Sequence, residues 1–234
     1  MNDIRDNIRR VQNEIIRAAR RAGRDPAAVR IVAVSKGVPP DGIRKAQAAG
    51  LNAFGENRVQ EFVKKCREIG GEVEWHFVGH VQRNKVKYLV GLVNLIHSLD
   101  RWDLAVELNR WALKKGRVFD TLIQVNVARE PFKHGLYEEE VPDFLPAVAQ
   151  LPGVRVRGLM TMAPYVEDPE DARPVFRRLR ELSRKYRDVA DISLEFLSMG
   201  MTQDFTVAVE EGANMVRIGT AIFGPRQCQG GGVV

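Results

Sequence analysis

Residues 30–36 read Arg30-Ile31-Val32-Ala33-Val34-Ser35-Lys36. A short β-branched apolar run between polar residues has the pattern of a strand buried on both faces, the kind found in parallel sheets. Downstream, a helix-length segment over 40–49 stops at Gly50, and a second brief strand follows over 53–55. The alternation then repeats. Helix 59–69 ends before Gly70-Gly71, strand 73–78 leads to a short helix over 84–90, and strand 93–98 to a helix over 101–115 closed by Gly116. Strand 121–127 precedes helix 141–150, strand 154–161 precedes a long helix over 169–187, and strand 194–198 precedes helix 205–211, which ends at Gly212. The last strand is expected over 215–223.

Eight strands, each separated by enough chain for a helical crossover, must run parallel, because antiparallel neighbours need only tight turns. The expected fold is α/β, a single (β/α)8 TIM-like barrel, whose usual size is about 250 residues. The rival is a doubly wound open sheet. It would place a glycine-rich GxGxxG turn after the first strand, where this chain has Ser35-Lys36-Gly37-Val38-Pro39.

Upstream, Ile4, Ile8, Val11 and Ile15 recur at steps of four, three and four, the stripe of an amphipathic helix that Asn2 or Asp3 can cap. Gly23 and Asp25-Pro26 end it. Little chain follows the eighth strand, so this extra N-terminal helix is expected to cover the barrel where an eighth outer helix would otherwise sit. One domain over residues 1–228 and a flexible tail over 229–234 complete the expected organisation.

The chain has 234 residues, 36 Lys+Arg against 30 Asp+Glu, and a net charge of +6. The arginines lie along helix-like segments near acids, as on a solvated helix face. Aromatics make up 7% and do not interleave with them, so the stacking groove of a nucleic-acid binder is not expected. Cys66 and Cys228 form no metal-spaced or CxxC pair, which reads as two incidental thiols of a reduced compartment. The polar N-terminus and the lack of a long apolar run argue for a cytoplasmic protein with no membrane partner.

In a (β/α)8 barrel the functional groups gather at the C-terminal ends of the strands. Lys36 stands at the first of these, on the same face as Val32 and Val34. Partial desolvation there lowers a lysine's pKa and yields the free amine that makes a Schiff base with an aldehyde; the plain alternative is a lysine that ends the strand and points to water. At the last two strands, Ser198-Met199-Gly200-Met201-Thr202 and Arg217-Ile218-Gly219-Thr220 supply hydroxyls and two glycines. Barrels often cradle phosphate in these loops, with Gly200 and Gly219 allowing close backbone approach. Closure makes strand eight the neighbour of strand one, so an aldehyde-plus-phosphate ligand, pyridoxal 5′-phosphate, fits. Arg217, two residues before Gly219, either donates to the ring nitrogen or serves as a core-edge ion pair. His76 and His80 are four apart on a strand and its loop, not a helix, so no metal site is expected. Met160, Met162, Met199 and Met201 read as barrel-mouth packing that can touch the cofactor ring, and nothing in sequence pairs the acids Glu56, Asp100 and Glu195.

The segments Ala33-Val34-Ser35-Lys36, Phe54-Gly55-Glu56-Asn57, Trp75-His76-Phe77-Val78-Gly79-His80, Gly158-Leu159-Met160-Thr161-Met162-Ala163-Pro164, Leu197-Ser198-Met199-Gly200-Met201 and Val216-Arg217-Ile218-Gly219-Thr220 resemble, in order, the pyridoxal-phosphate homeostasis protein family. That family is similar in fold to the barrel domain of alanine racemase. The resemblance implies a cofactor carrier without established catalysis. It implies Lys36 as the Schiff-base lysine, phosphate contacts from Ser198, Gly219 and Thr220, a ring-nitrogen contact from Arg217, and Asn57 near the cofactor's polar edge. A monomer that makes transient contact with apo pyridoxal-phosphate enzymes is expected. Two departures stand out. Thr202-Gln203 replaces the family's usual Ser-Asp, and the loop Arg129-Glu130-Pro131-Phe132-Lys133-His134-Gly135 differs from the commoner small, polar version.

The alternative function is an amino-acid racemase, which needs acid/base groups on both faces of the substrate α-carbon. In alanine racemases one of these is a tyrosine from a separate C-terminal domain, for which this chain has no room after its eighth strand. Tyr165, after strand six, is the nearest substitute. A sugar-phosphate aldolase using Lys36 ranks lower still.

Overall fold

A computed structural model describes residues 3–187, 189 and 192–225. Helix α1 (Ile4–Arg21) opens the chain, with the Asp3 carboxylate accepting from the Arg5 N–H at its start. Eight units then follow: β1 (Arg30–Val34) with α2 (Pro40–Ala48), β2 (Ala53–Glu56) with α3 (Val59–Ile69), and β3 (Glu74–Phe77) with a 3-10 turn over Arg83–Tyr88. Next come β4 (Leu95–Leu99) with α4 (Trp102–Lys115), β5 (Phe119–Gln124) with α5 (Val141–Ala149), and β6 (Val154–Met160) with α6 (Arg173–Lys185). The last two are β7 (Phe196–Ser198) with α7 (Phe205–Glu210) and β8 (Met215–Ile218) with α8 (Thr220–Phe223). The strands pair in chain order, all parallel, and β1 closes on β8 with Val32 beside Arg217. The fold is the (β/α)8 barrel that the alternation predicts.

One sequence expectation is corrected. Residues 215–223 are not a single strand: β8 stops at Ile218, and Thr220–Phe223 form a short helix. The apolar run Val216 to Phe223 is consistent with either element by periodicity alone. Gly219, at φ −112° and ψ −81°, makes the break. The proposed tail at 229–234, the domain limit at 228 and Cys228 lie outside the described residues.

Two cores result from the period-2 alternation of the strands. Val32, Leu95, Leu122, Met160 and Met215 fill the barrel interior. Outward-facing residues such as Phe54, Trp75 and Phe77 join Phe62 of α3 in the layer between sheet and helices, with Phe62 edge-on to both Trp75 and Phe77. Helix α1 lies against α2, α7 and α8 and buries Ile8, Val11, Ile15, Ala18 and Ala19. Asn7 Nδ2 donates to the Ile222 carbonyl at 2.9 Å, and Arg24 Nη1 donates to those of Ala213 and Val209. Because α8 has only four residues, α1 takes the eighth place in the helical ring. No helix among the described residues is long and apolar enough to cross a membrane.

Candidate functional site at the barrel mouth

Lys36 follows β1 in a turn and is half-buried. The residues on either side of it are held by a buried ionic cluster. Glu56, at the end of β2, is fully buried; its Oε1 accepts from Ser35 Oγ at 2.6 Å and from Lys65 Nζ at 2.7 Å. Lys65 Nζ also donates to the Ser35 carbonyl at 2.6 Å and to Glu61 Oε1 at 2.7 Å. That same Glu61 oxygen accepts from the Gly37 N–H at 2.5 Å. The backbone before and after Lys36 is therefore tied to α3 through one ammonium and two carboxylates. Burial pushes the Glu56 carboxyl above its ordinary value, with Lys65 and Ser35 opposing. Burial also works against ionisation of Glu61, but Lys65 and the Gly37 N–H outweigh it and hold that carboxyl below its ordinary value.

Inside the barrel, polar groups form a chain. Arg217 Nη1 donates to Ser198 Oγ at 2.7 Å and Nη2 to the Thr161 carbonyl at 2.9 Å. Ser198 Oγ lies 2.9 Å from His97 Nδ1, and His97 Nε2 lies 2.9 Å from His76 Nδ1. Burial first, then the nearby His76 and Arg217, hold the His97 imidazole well below its ordinary pKa. A neutral His97 has one donor and one acceptor nitrogen. An order that satisfies every group runs from Arg217 to Ser198, from the Ser198 hydroxyl to His97 Nδ1, and from His97 Nε2–H to His76. Burial pushes Arg217 down to about 10, against the opposing charge of Asp204, so it remains a cation at neutral pH.

The β7 and β8 loops meet at Thr202 and Thr220. Thr220 Oγ1 donates to Thr202 Oγ1 at 3.2 Å, and the Ala221 N–H points to the same Thr202 oxygen at 3.4 Å. Gly200 has φ +92°, and a Cβ there would stand 2.6 Å from Ala208 Cβ and 2.9 Å from Phe205 Cα, so only glycine lets α7 pack this close. Gly219 is half-buried with φ −112°, and a Cβ there would find Val34 at ordinary contact distance. In the same loop, Asp204 Oδ1 accepts from the Met201 N–H at 2.6 Å.

The nine residues proposed from sequence thus divide. Lys36, Asn57, Gly200, Thr202, Gly219 and Thr220 lie at or just beyond the ends of β1, β2, β7 and β8. Arg217 is buried on the interior face of β8, and the Ser198 hydroxyl is engaged inside the barrel. Met199 is fully buried in the layer between sheet and helices rather than at the mouth. Asn57 is half-buried beside Gly79, and its side-chain oxygen is buried with no hydrogen-bond partner. Sequence reasoning missed Lys65, Glu61 and His97. Lys65 had a signal: it stands three residues after Phe62 and one before Cys66, on the apolar stripe of α3, where a charge needs a buried partner.

A family model described as "Alanine racemase, N-terminal domain" matches residues 2–227. A pyridoxal phosphate homeostasis protein from Aquifex aeolicus is 48% identical over 223 residues, covering 95% of this chain and 98% of that one. The chain belongs to the pyridoxal phosphate homeostasis protein family. The family's Escherichia coli K12 member is 40% identical over 234 residues, covering 97% of this chain and 98% of its own. Among solved structures, PipY of Synechococcus elongatus PCC7942 with PLP bound is 35% identical, with a TM-score of 0.83 over 94% of this chain and all of its own. Alanine racemase from Corynebacterium glutamicum shares the barrel fold at 18% identity and a TM-score of 0.63, and the chain matches 62% of its length.

Proposed function

We propose that this protein binds pyridoxal 5′-phosphate through a Schiff base to Lys36 and carries it in vitamin B6 homeostasis, without turning over a substrate. The observation that carries the reading is the clamp on Lys36. A buried cluster of Glu56, Lys65 and Glu61 fixes the two peptides flanking that amine, which a solvent-pointing surface lysine would not need.

The remaining groups fit the same cofactor. The Thr202 and Thr220 hydroxyls at the β7 and β8 loops suit a phosphate. Gly200 lets α7 pack against the β7 loop that carries Thr202. Asn57 offers an unpaired buried oxygen at the mouth. Arg217 keeps three N–H donors beyond those given to Ser198 and Thr161. Its lasting charge disfavours a proton on any ring nitrogen set against it, and such a ring is a weaker electron sink for carbanion chemistry. Bound cofactor would supply an aldehyde for amines; the chain's residues would hold it.

The tyrosines support the carrier reading over a racemase. Tyr165, after β6, is 78% exposed, Tyr88 and Tyr137 are exposed, and Tyr186 is buried in the outer core. None is a buried proton carrier inside the barrel. The reading includes a monomer in the cytoplasm that meets apo pyridoxal-phosphate enzymes transiently. Two measurements test it. Bound cofactor should pass to an apo-enzyme faster than the same concentration of free cofactor does. Exchange of the L-alanine α-proton above the rate of free cofactor would replace it with the racemase reading.

A further inference from the structure

Three ligating side chains meet elsewhere on the mouth, from loops that follow consecutive strands. His80 comes two residues after Val78 beyond β3, Asp100 directly after β4, and His134 from the loop between β5 and α5. The two imidazoles stack, with centroids 3.8 Å apart and 19° between planes. Their Nδ1 atoms address one oxygen: Asp100 Oδ2 is 3.4 Å from His80 and 3.8 Å from His134. One ligand atom from each residue lies within 4.8 Å of the others.

These separations suit a bridging ion better than direct hydrogen bonds. Around a tetrahedral ion with bonds of about 2.0–2.1 Å, neighbouring ligand atoms stand about 3.3 Å apart. His80 and Asp100 are already at that spacing, and the exposed His134 ring, stacked on His80, must turn out of the stack to bring its Nδ1 to the same ion. The supporting groups are in place too. The Asp100 side chain is only 4% exposed, and its other oxygen, Oδ1, accepts from Arg101 Nη1 at 2.6 Å, which leaves Oδ2 aimed at the imidazoles. The His134 loop is anchored from β5: Gln124 Nε2 donates to the His134 carbonyl at 2.8 Å, and Asn126 Nδ2 to that of Glu130 at 2.9 Å. Gly135 sits at φ +129°, where a Cβ would fall 2.7 Å from the Asn126 nitrogen, so the loop is pressed onto the strand end.

We propose that His80, Asp100 and His134 bind one divalent transition ion, zinc foremost. Two imidazoles and a carboxylate suit zinc, cobalt, nickel or copper rather than magnesium or calcium, and three protein ligands leave a position open to water. The proposal departs from the sequence expectation of no metal site: His76 faces His97 inside the barrel, while His80 meets Asp100 and His134 across the loops.

The test uses the full-length protein stripped with a chelator and titrated with cobalt chloride. The proposal predicts one cobalt per chain, a visible ligand-field band of four- or five-coordinate intensity, and displacement by zinc. His134→Ala and Asp100→Asn should each weaken binding by about tenfold or more. His134 is 58% exposed, so its truncation leaves the fold intact. Lys36→Ala should bind cobalt like the wild type, which keeps this result separate from the fate of the cofactor reading. No band in the wild-type protein, or a band unaltered by both His134→Ala and Asp100→Asn, overturns the site.

Discussion

Replacing Lys65 with methionine tests the clamp on Lys36 directly. The side chain keeps its length and loses its charge, which leaves Glu56 fully buried with Ser35 as its remaining donor. Lys65 is 6% exposed and makes three bonds of 2.6–2.7 Å. Removing one partner of so buried a pair costs about 3–5 kcal/mol, because the stranded charge has no solvent to turn to. At this chain length that corresponds to a fall in Tm of about 6–20 °C. Adding Glu56→Gln removes the stranded charge, so the double variant should recover part of the loss, with a coupling energy above about 1 kcal/mol. Urea unfolding followed by tryptophan fluorescence measures all three variants. Cofactor titration is the second readout: Lys65→Met should bind pyridoxal 5′-phosphate more weakly than Ile8→Ala, whose cavity under α1 costs a similar 2–5 kcal/mol or so without touching the Lys36 turn. A cost for Lys65→Met below about 1 kcal/mol, or strict additivity with Glu56→Gln, would refute the reasoning.

Acid should weaken the fold through its neutral histidines. His97 is held well below its ordinary pKa in the native barrel, so the unfolded chain takes up a proton that the folded one refuses. The stability it contributes is complete above about pH 6.5 and is lost as pH falls below that. His97→Gln should therefore show a shallower loss of stability between pH 7 and about 5, and equal slopes would contradict the assignment. The Cys66 thiol, pushed up to about 12 by burial and by Glu56, should resist thiol reagents in the native protein and react on unfolding; fast native labelling would show that α3 opens. Thr202→Val with Thr220→Val removes the hydroxyls at the β7 and β8 loops, and should weaken pyridoxal 5′-phosphate binding more than pyridoxal binding. Equal weakening of both would place the phosphate elsewhere.

The barrel was legible because its signal is global: eight apolar runs at crossover spacing admit few topologies. The error at 219–223 came from a run apolar enough for either element, which only a backbone break at Gly219 resolves. Strand ends were enough to place Lys36, Arg217 and the two threonines along the barrel axis, because position along a strand fixes height in the barrel. Contacts across the fold were not legible. Glu56 and Lys65 meet because β2 and α3 pack together, and the partner of Glu56 is visible in sequence only as a lysine on an apolar helix face. His80, Asp100 and His134 come from three separate loops, and no spacing rule joins them. Ser198 and Met199 were read from their place in a motif, whereas their side chains are set by which face of β7 and its extension they occupy: one joins Arg217 inside, the other packs outside.

The central claim is that one amine, at the end of β1, takes the cofactor's aldehyde. Borohydride reduction of the protein incubated with pyridoxal 5′-phosphate, followed by peptide mass mapping, reads that atom directly. The account predicts a single phosphopyridoxyl adduct on the peptide carrying Lys36, absent from Lys36→Ala. An adduct spread over surface lysines, or confined to another such as Lys133, would contradict it.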